Sequence, residues 1–355
     1  MPESYNTLIQ RLVENTPFEI DTEILVESRP PTMASSEFLT NKEQGDWAEQ
    51  VVLNAINDNS NEYFALPYGR ADSLAAGDPG FGEFYRAYQE ELNTIGKKPD
   101  LLIFRREDAL QPLDLTDDDT VSLAVAAIEV RSSSFLADKY AEFMHARTAA
   151  AETACMRIRE ELLHSTNAEL LSEKKPAIYK LICDADKETF RDLDFRAPSW
   201  SASAELRQLT EKLKELKAQM KILHKRDYLS ITPKLEDISL VNRWIQRFGV
   251  RHFYLQVFFD KAYVIAFEEI LKTCSDPKRE GIAFSVERDV KNQQKTTIKI
   301  DIRVGREILG RIDEPEHKAA RKELDRGRLL FYVTFEGGRG YLDPRTFEEE
   351  IINGK

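Results

Sequence analysis

The chain has 355 residues, 42% hydrophobic and 32% charged, with a formal net charge of −12. This supports one large or two modest packed domains and excludes a wholly disordered chain. The negative balance disfavours phosphate-binding partners only as an average: residues 1–125 hold about 24 acids against 9 bases, which leaves the remainder near +3 with local basic clusters.

In chain order, residues 1–36 read as an N-terminal extension, with "SRPPT" at Ser28 to Thr32 an extended linker. A helix is predicted from Asn41 to Asn57, where Trp47, Val51, Val52, Ala55 and Ile56 recur at helical spacing and Thr40 or Asn41 offers an N-cap. "EYFALP" is a strand leading into a loop bearing glycine and proline, and "FYRAYQEELNTIG" is a short helix closing at Gly96. Leu101 to Phe104 and Val121 to Arg131 are strands joined by a polar loop, and a long helix follows from Leu136 to Thr166. "PAIYKLICDAD" reads as a strand, Ser203 to Asp227 and Ile238 to Phe248 as helices, and Phe253 to Phe259 and Tyr263 to Phe267 as strands. "IAFSVERDV", "TTIKIDIRVGREI" and "RLLFYVTFEGGRGYLD" read as hairpin strands. The fold class is α/β, a mixed sheet flanked by helices, with further helical and β-ribbon elements. Neither a dinucleotide-binding glycine fingerprint nor a P-loop is present.

Cys155, Cys183 and Cys274 lie far apart without a paired spacing and read as reduced thiols of a cytoplasmic protein. The start shows no basic stretch running into an apolar one, and no apolar run nears the roughly 20 residues needed to cross a bilayer. With five scattered histidines, any metal would be held by oxygen. Two acids interrupt apolar strands. Asp100 stands directly before "LLIF", and Glu129 sits inside "VAAIEVRSSSF". An unpaired acid in a buried strand is costly, so each requires a reason. Mg²⁺ needs only one or two carboxylates plus phosphate and water. Asp100 and Glu129 would supply the carboxylates, with the backbone carbonyl of Val130 close to the same point. A turn cap at Asp100 and a structural ion pair at Glu129 are the alternatives.

Pro99-Asp100, the acid and base of Glu129-Val130-Arg131, and a preceding helix bearing Glu49 together resemble the PD-(D/E)XK nuclease superfamily. Within it, "EVRSSSF" after "KPDLLIF" is most similar to type II restriction endonucleases of the AccI kind. The resemblance covers roughly residues 40–185 and implies helix, three-stranded antiparallel hairpin sheet, helix and strand in that order. It places the catalytic core at 37–190, leaving 191–355 for DNA recognition and dimer contacts. It implies a Mg²⁺-dependent endonuclease that cuts double-stranded DNA at a short palindrome, as a homodimer without organic cofactor. The catalytic candidates are Asp100, Glu129, Arg131 and Glu49. Arg131 departs from the lysine usual there. Arginine keeps its proton, so Arg131 would supply charge, with the base left to hydroxide held by the metal or to a substrate phosphate. Lys139 could also reach in.

For DNA contact the candidates are Ser132, Ser133, Ser134 and Lys139, then Lys299, Arg303, Arg306 and Arg311 along one ribbon, and Arg339 in a glycine turn. Turn formation by the serines and a solvated ribbon face are the alternatives. A repair nuclease with structure preference, or a non-catalytic DNA-binding protein on a degenerate nuclease fold, are the rival functions. Leu206, Leu209, Leu213, Leu216, Met220 and Leu223 fall at near-heptad spacing and read as helix packing.

Overall fold

The computed structural model describes residues 3–16, 33–69, 74–109, 112–289, 295–324 and 327–354. The linker expected at Ser28 to Thr32 lies outside them. The chain divides into two compact units, one joining Met1–Ala137 to Ser230–Lys355, the other the inserted Asp138–Leu229. The boundary expected near residue 190 falls inside the insertion.

In the first unit, α1 (Tyr5–Asn15) is capped by the Ser4 side chain, and α2 (Ser36–Asn59) by Ser35, whose hydroxyl accepts from Phe38 N at 3.0 Å. This earlier cap starts α2 before the expected Asn41. There follow β1 (Tyr63–Pro67), α3 (Phe81–Ile95), β2 (Leu101–Arg105), α4 (Asp118–Ser122) and β3 (Ala126–Ser132). The insertion carries α5 (Ala137–Leu162), α6 (Ser165–Lys174), α7 (Pro176–Asp184) and α8 (Ala204–Leu223). The chain then forms β4 (Ser230–Ile231), α9 (Leu235–Phe248), β5 (His252–Val257), β6 (Ala262–Ala266) and α10 (Phe267–Cys274). Strands β7 (Phe284–Asp289), β8 (Lys295–Asp301), β9 (Arg306–Ile312), β10 (Glu316–Glu323), β11 (Leu329–Glu336) and β12 (Gly340–Leu342) complete it.

Seven strands form one mixed sheet in the order β1-β2-β3-β5-β6-β9-β12. Every pair is antiparallel except β3 with β5, which run parallel with Glu129 opposite Tyr254. Alternate residues therefore face opposite layers. Leu101, Ile103, Ile128, Val130, Phe253 and Leu255 pack with Val51, Val52 and Ala55 of α2. On the other face, Tyr254 and Ile265 pack with Ile238 and Val241 of α9, with α10, and with Leu8 and Leu12 of α1. Leu102, Phe104 and Ala127 pack with Trp244 and Phe248 of α9. A strand covered on both faces reads as continuously apolar, which is why β5 has every residue buried.

Of the order expected within residues 40–185, the helix and the antiparallel β1, β2 and β3 are present, but no strand among the described residues closes it: α5, α6 and α7 follow, and α9 and β5 come only after the insertion. "PAIYKLICDAD" is a helix, α7, and not a strand. Pro176 suits a first helical position, and Ile178 and Ile182, four apart, are the residues it buries. The expected strand over Val121 to Arg131 begins only at Ala126, because Asp117 caps the short α4 by accepting from Thr120 N at 3.0 Å. The long helix breaks near Ser165, whose φ is 51°. In the insertion, Leu209, Leu213, Leu216 and Met220 of α8 are buried with Cys155, Ile158 and Leu162 of α5, in accord with helix packing. All three cysteines are free.

Gly96 seats the segment before β2 on α9. Its φ is +85°, and a Cβ there would lie 2.3 Å from the Leu240 carbonyl oxygen and 2.8 Å from Trp244 N. Next to it, Lys97 N donates to that same carbonyl at 3.1 Å. Gly96→Ala should cost about 3 kcal/mol or more, since strain and overpacking coincide. Urea unfolding measures this, and a change below about 0.5 kcal/mol would contradict the close seat.

Candidate active site

Asp100 ends the loop before β2, and Glu129 lies in mid-β3. The Asp100 Oδ2 accepts from Val130 N at 2.7 Å, so its carboxylate is tied to the residue after Glu129. The Asp100 carbonyl accepts from Tyr68 N at 2.8 Å and Gly69 N at 3.2 Å, fixing the backbone as well. Glu49, half-buried on α2, makes its charge felt at Asp100. Asp100 and Glu129 thus lie near one another where β2 begins beside β3, with Glu49 near enough to act on Asp100. The contact with Val130 runs through its N–H.

Parity turns Glu129 and Arg131 away from the α2 layer, to the face shared with His252, Tyr254 and Gln256 of β5. There Glu129, only 2% exposed, meets two cations. Its Oε1 lies 2.5 Å from Lys97 Nζ and 2.9 Å from Arg131 Nη2. A second carboxylate, Asp237 in the first turn of α9, lies 2.8 Å from the same Lys97 nitrogen and 3.3 Å from Arg131 Nη2. Lys97 and Asp237 were not among the residues expected here. A lysine ahead of a proline looks like a surface residue, and an acid opening a helix looks like a response to the helix dipole. The one available signal was "KKPD" itself, which puts Lys97 three positions before Asp100.

The two strand acids have opposite electrostatic surroundings. Burial drives the Asp100 carboxyl well above the ordinary range, and the charges of Glu129 and Glu49 push it further against the opposition of Lys97. Burial also disfavours charge on Glu129, but Lys97 and Arg131 outweigh it and hold that carboxyl low. Asp237 is lowered in the same way, by Lys97, Lys234 and Arg131 against desolvation. Burial lowers His252 to about 4, so the ring is neutral at pH 7 and adds no cation. The surroundings of Asp100 therefore disfavour its charge, while Lys97 and Arg131 compensate that of Glu129.

This donor set fits a divalent cation. The ligands are hard oxygens, Glu129 Oε2 is buried without a hydrogen-bond partner among the described residues, and a doubly positive ion would relieve the crowding at Asp100. Among the described residues no three acids, histidines or cysteines surround one point. Phosphate and water would complete the ligand set, as Mg²⁺ ordinarily allows.

The remaining candidates are dispersed. The single ribbon expected from Lys299 to Arg311 is two strands in different sheets. Lys299 lies on β8, beside β4 and β7, whereas Arg306 and Arg311 lie on β9. Between them Asp301 caps a 3₁₀ turn, and Gly305 passes so close to β6 that a Cβ would stand 2.6 Å from the Val264 carbonyl oxygen. Arg303 pairs with Asp301, Arg306 with Glu350 at 3.4 Å and Arg311 with Asp313 at 2.6 Å. Arg339 and Arg311 lie 5.4 and 4.9 Å from the Tyr341 ring centroid. Ser132 closes β3, and the Ser133 N–H donates to Val257 O at 2.9 Å in the turn that continues through Ser134. Lys139 is exposed on α5, in the inserted unit.

The asymmetry between the acids sets their expected effects on stability without metal. Glu129→Gln leaves two buried cations short of a partner and should cost about 3 kcal/mol. Asp100→Asn keeps an acceptor for Val130 N while removing a crowded charge, and should raise the midpoint. Thermal unfolding in EDTA compares them, and a stabilising Glu129→Gln would contradict the assigned surroundings.

No helix among the described residues is long and apolar enough to cross a membrane. Neither a curated protein nor a solved structure matches the chain. Residues 5–353, nearly the whole length, match the family described as AccI restriction endonuclease. Restriction endonucleases typically act on DNA with a divalent metal ion. Over that span the chain belongs to the AccI restriction endonuclease family, as a type II restriction enzyme that cleaves DNA at a specific site.

Proposed function

We propose that cleavage is Mg²⁺-dependent and occurs where β2 and β3 present Asp100 and Glu129, on a PD-(D/E)XK core made of α2, β1, β2, β3, α9 and β5. Asp100 and Glu129 would hold the ion, with the Val130 backbone and Glu49 in support. When bound, it supplies Lewis-acid stabilisation of the phosphate and acidifies a water. The observation that carries this reading is geometric: Asp100, tied to Val130 N at 2.7 Å, stands beside the buried Glu129, whose Oε2 has no hydrogen-bond partner among the described residues.

The protein's own contribution is position and charge. Burial opposes the Arg131 charge, but Glu129 and Asp237 more than offset this, so the guanidinium stays protonated and cannot accept a proton. Its role is to face charge developing on the phosphate. Tyr341 with Arg311 and Arg339 forms an exposed cluster suited to a DNA backbone or a guanine edge. A palindromic site would be read by a two-fold symmetric homodimer, each copy cutting one strand.

Plasmid digestion tests the reading. Discrete fragments are expected with Mg²⁺ and none with EDTA. Asp100→Ala and Glu129→Ala should each abolish cutting while duplex binding in Ca²⁺ remains measurable. Wild-type cutting by either variant would remove that residue from the site.

A further inference from the structure

Two cations and two carboxylates share one small volume. Lys97 Nζ and Arg131 Nη2 both contact Glu129 Oε1, and both also contact Asp237 Oδ2. The carboxylates come from β3 and α9, separated in the chain by the whole inserted unit. Glu129 is almost fully buried, whereas the Asp237 side chain is 20% exposed. If Glu129 alone held the two cations, a divalent ion approaching it would meet a net positive cluster. Asp237 brings that cluster to neutrality and gives both nitrogens a second anchor. Resting on the reading of Asp100 and Glu129 as ion ligands, we propose that Asp237 is a positioning residue. It retains Lys97 and Arg131 at the site when Glu129 turns to the ion, so that both cations face the scissile phosphate.

Two consequences separate this from a purely structural ion cluster. Removing Asp237 leaves the cations on Glu129, where they compete with the ion. Removing Lys97 relieves that competition while taking a cation from the phosphate. Mn²⁺ titration of the full chain without DNA, by electron paramagnetic resonance, is the first readout. Single-turnover cleavage of a plasmid at saturating Mn²⁺ is the second.

For Asp237→Asn, Mn²⁺ affinity and cleavage should both fall about 10- to 100-fold, and Asp237→Glu should recover most of each. Lys97→Met should bind Mn²⁺ at least as tightly as wild type yet cut about 10- to 100-fold more slowly. Combining Lys97→Met with Asp237→Asn should return Mn²⁺ affinity to within about twofold of wild type. If Asp237→Asn is poorly folded, the Lys97→Met chain and the double variant carry the test. Unchanged Mn²⁺ affinity in Asp237→Asn, even with a lowered melting temperature, would overturn the proposal. So would wild-type cutting by Lys97→Met. Asp100→Ala distinguishes failure of the underlying reading, because wild-type Mn²⁺ binding by that variant would displace the ion from Asp100 altogether.

Discussion

Burying the Glu129 carboxylate is the constraint around which the first unit is arranged. A lone buried carboxylate is costly, and removing one partner of such a group typically costs about 3–5 kcal/mol. Here three elements meet the need together: the segment before β2 brings Lys97, β3 brings Arg131, and α9 brings Asp237. The Asp237 contacts to Lys97 and Arg131 form only when α9 lies against the sheet. The close passage of Gly96 over Leu240 and Trp244 and the bond from Lys97 N to Leu240 O hold it there. The parallel pairing of β3 with β5 sets which side chains share that face.

The other acid is treated differently. Asp100 is held by backbone contacts from Val130, Tyr68 and Gly69, yet its charge has carboxylate neighbours and little cationic relief. A protein interior rarely keeps such an arrangement without use. One acid met by the protein's own cations, tied through Val130 to another whose charge burial disfavours, is the arrangement on which the proposed divalent site rests. The family assignment calls for a nuclease site, and this end of β2 and β3 is where we propose that it lies.

Much of this was legible in the residues. Asp100 and Glu129 stood out because one directly precedes an apolar run and the other interrupts one, and "PD" with the Glu129 to Arg131 spacing drew them together. Glu49 was reachable only through the helix that carries it. The first helix and the antiparallel hairpin strands were read correctly in outline, but the strand expected to close residues 40–185 is the helix α7. Apolar residues in α7 and β5 look alike over a short window, and the periodicity of a nine-residue helix is weak evidence. The inserted unit separates α9 from β3 in sequence, so Asp237 reaches the two cations of Glu129 through long-range contacts that no local pattern encodes. The ribbon failed for a related reason. A run of alternating basic residues does not reveal that Asp301 and Gly305 break it between two sheets.

On the proposed reading, Asp100 and Glu129 together grip one divalent ion. Anomalous diffraction from crystals grown with Mn²⁺ and cognate duplex measures this directly. A peak bonded to both carboxylates is the predicted result. A peak that touches neither, with Glu129 still clasped by Lys97 and Arg131, would contradict it.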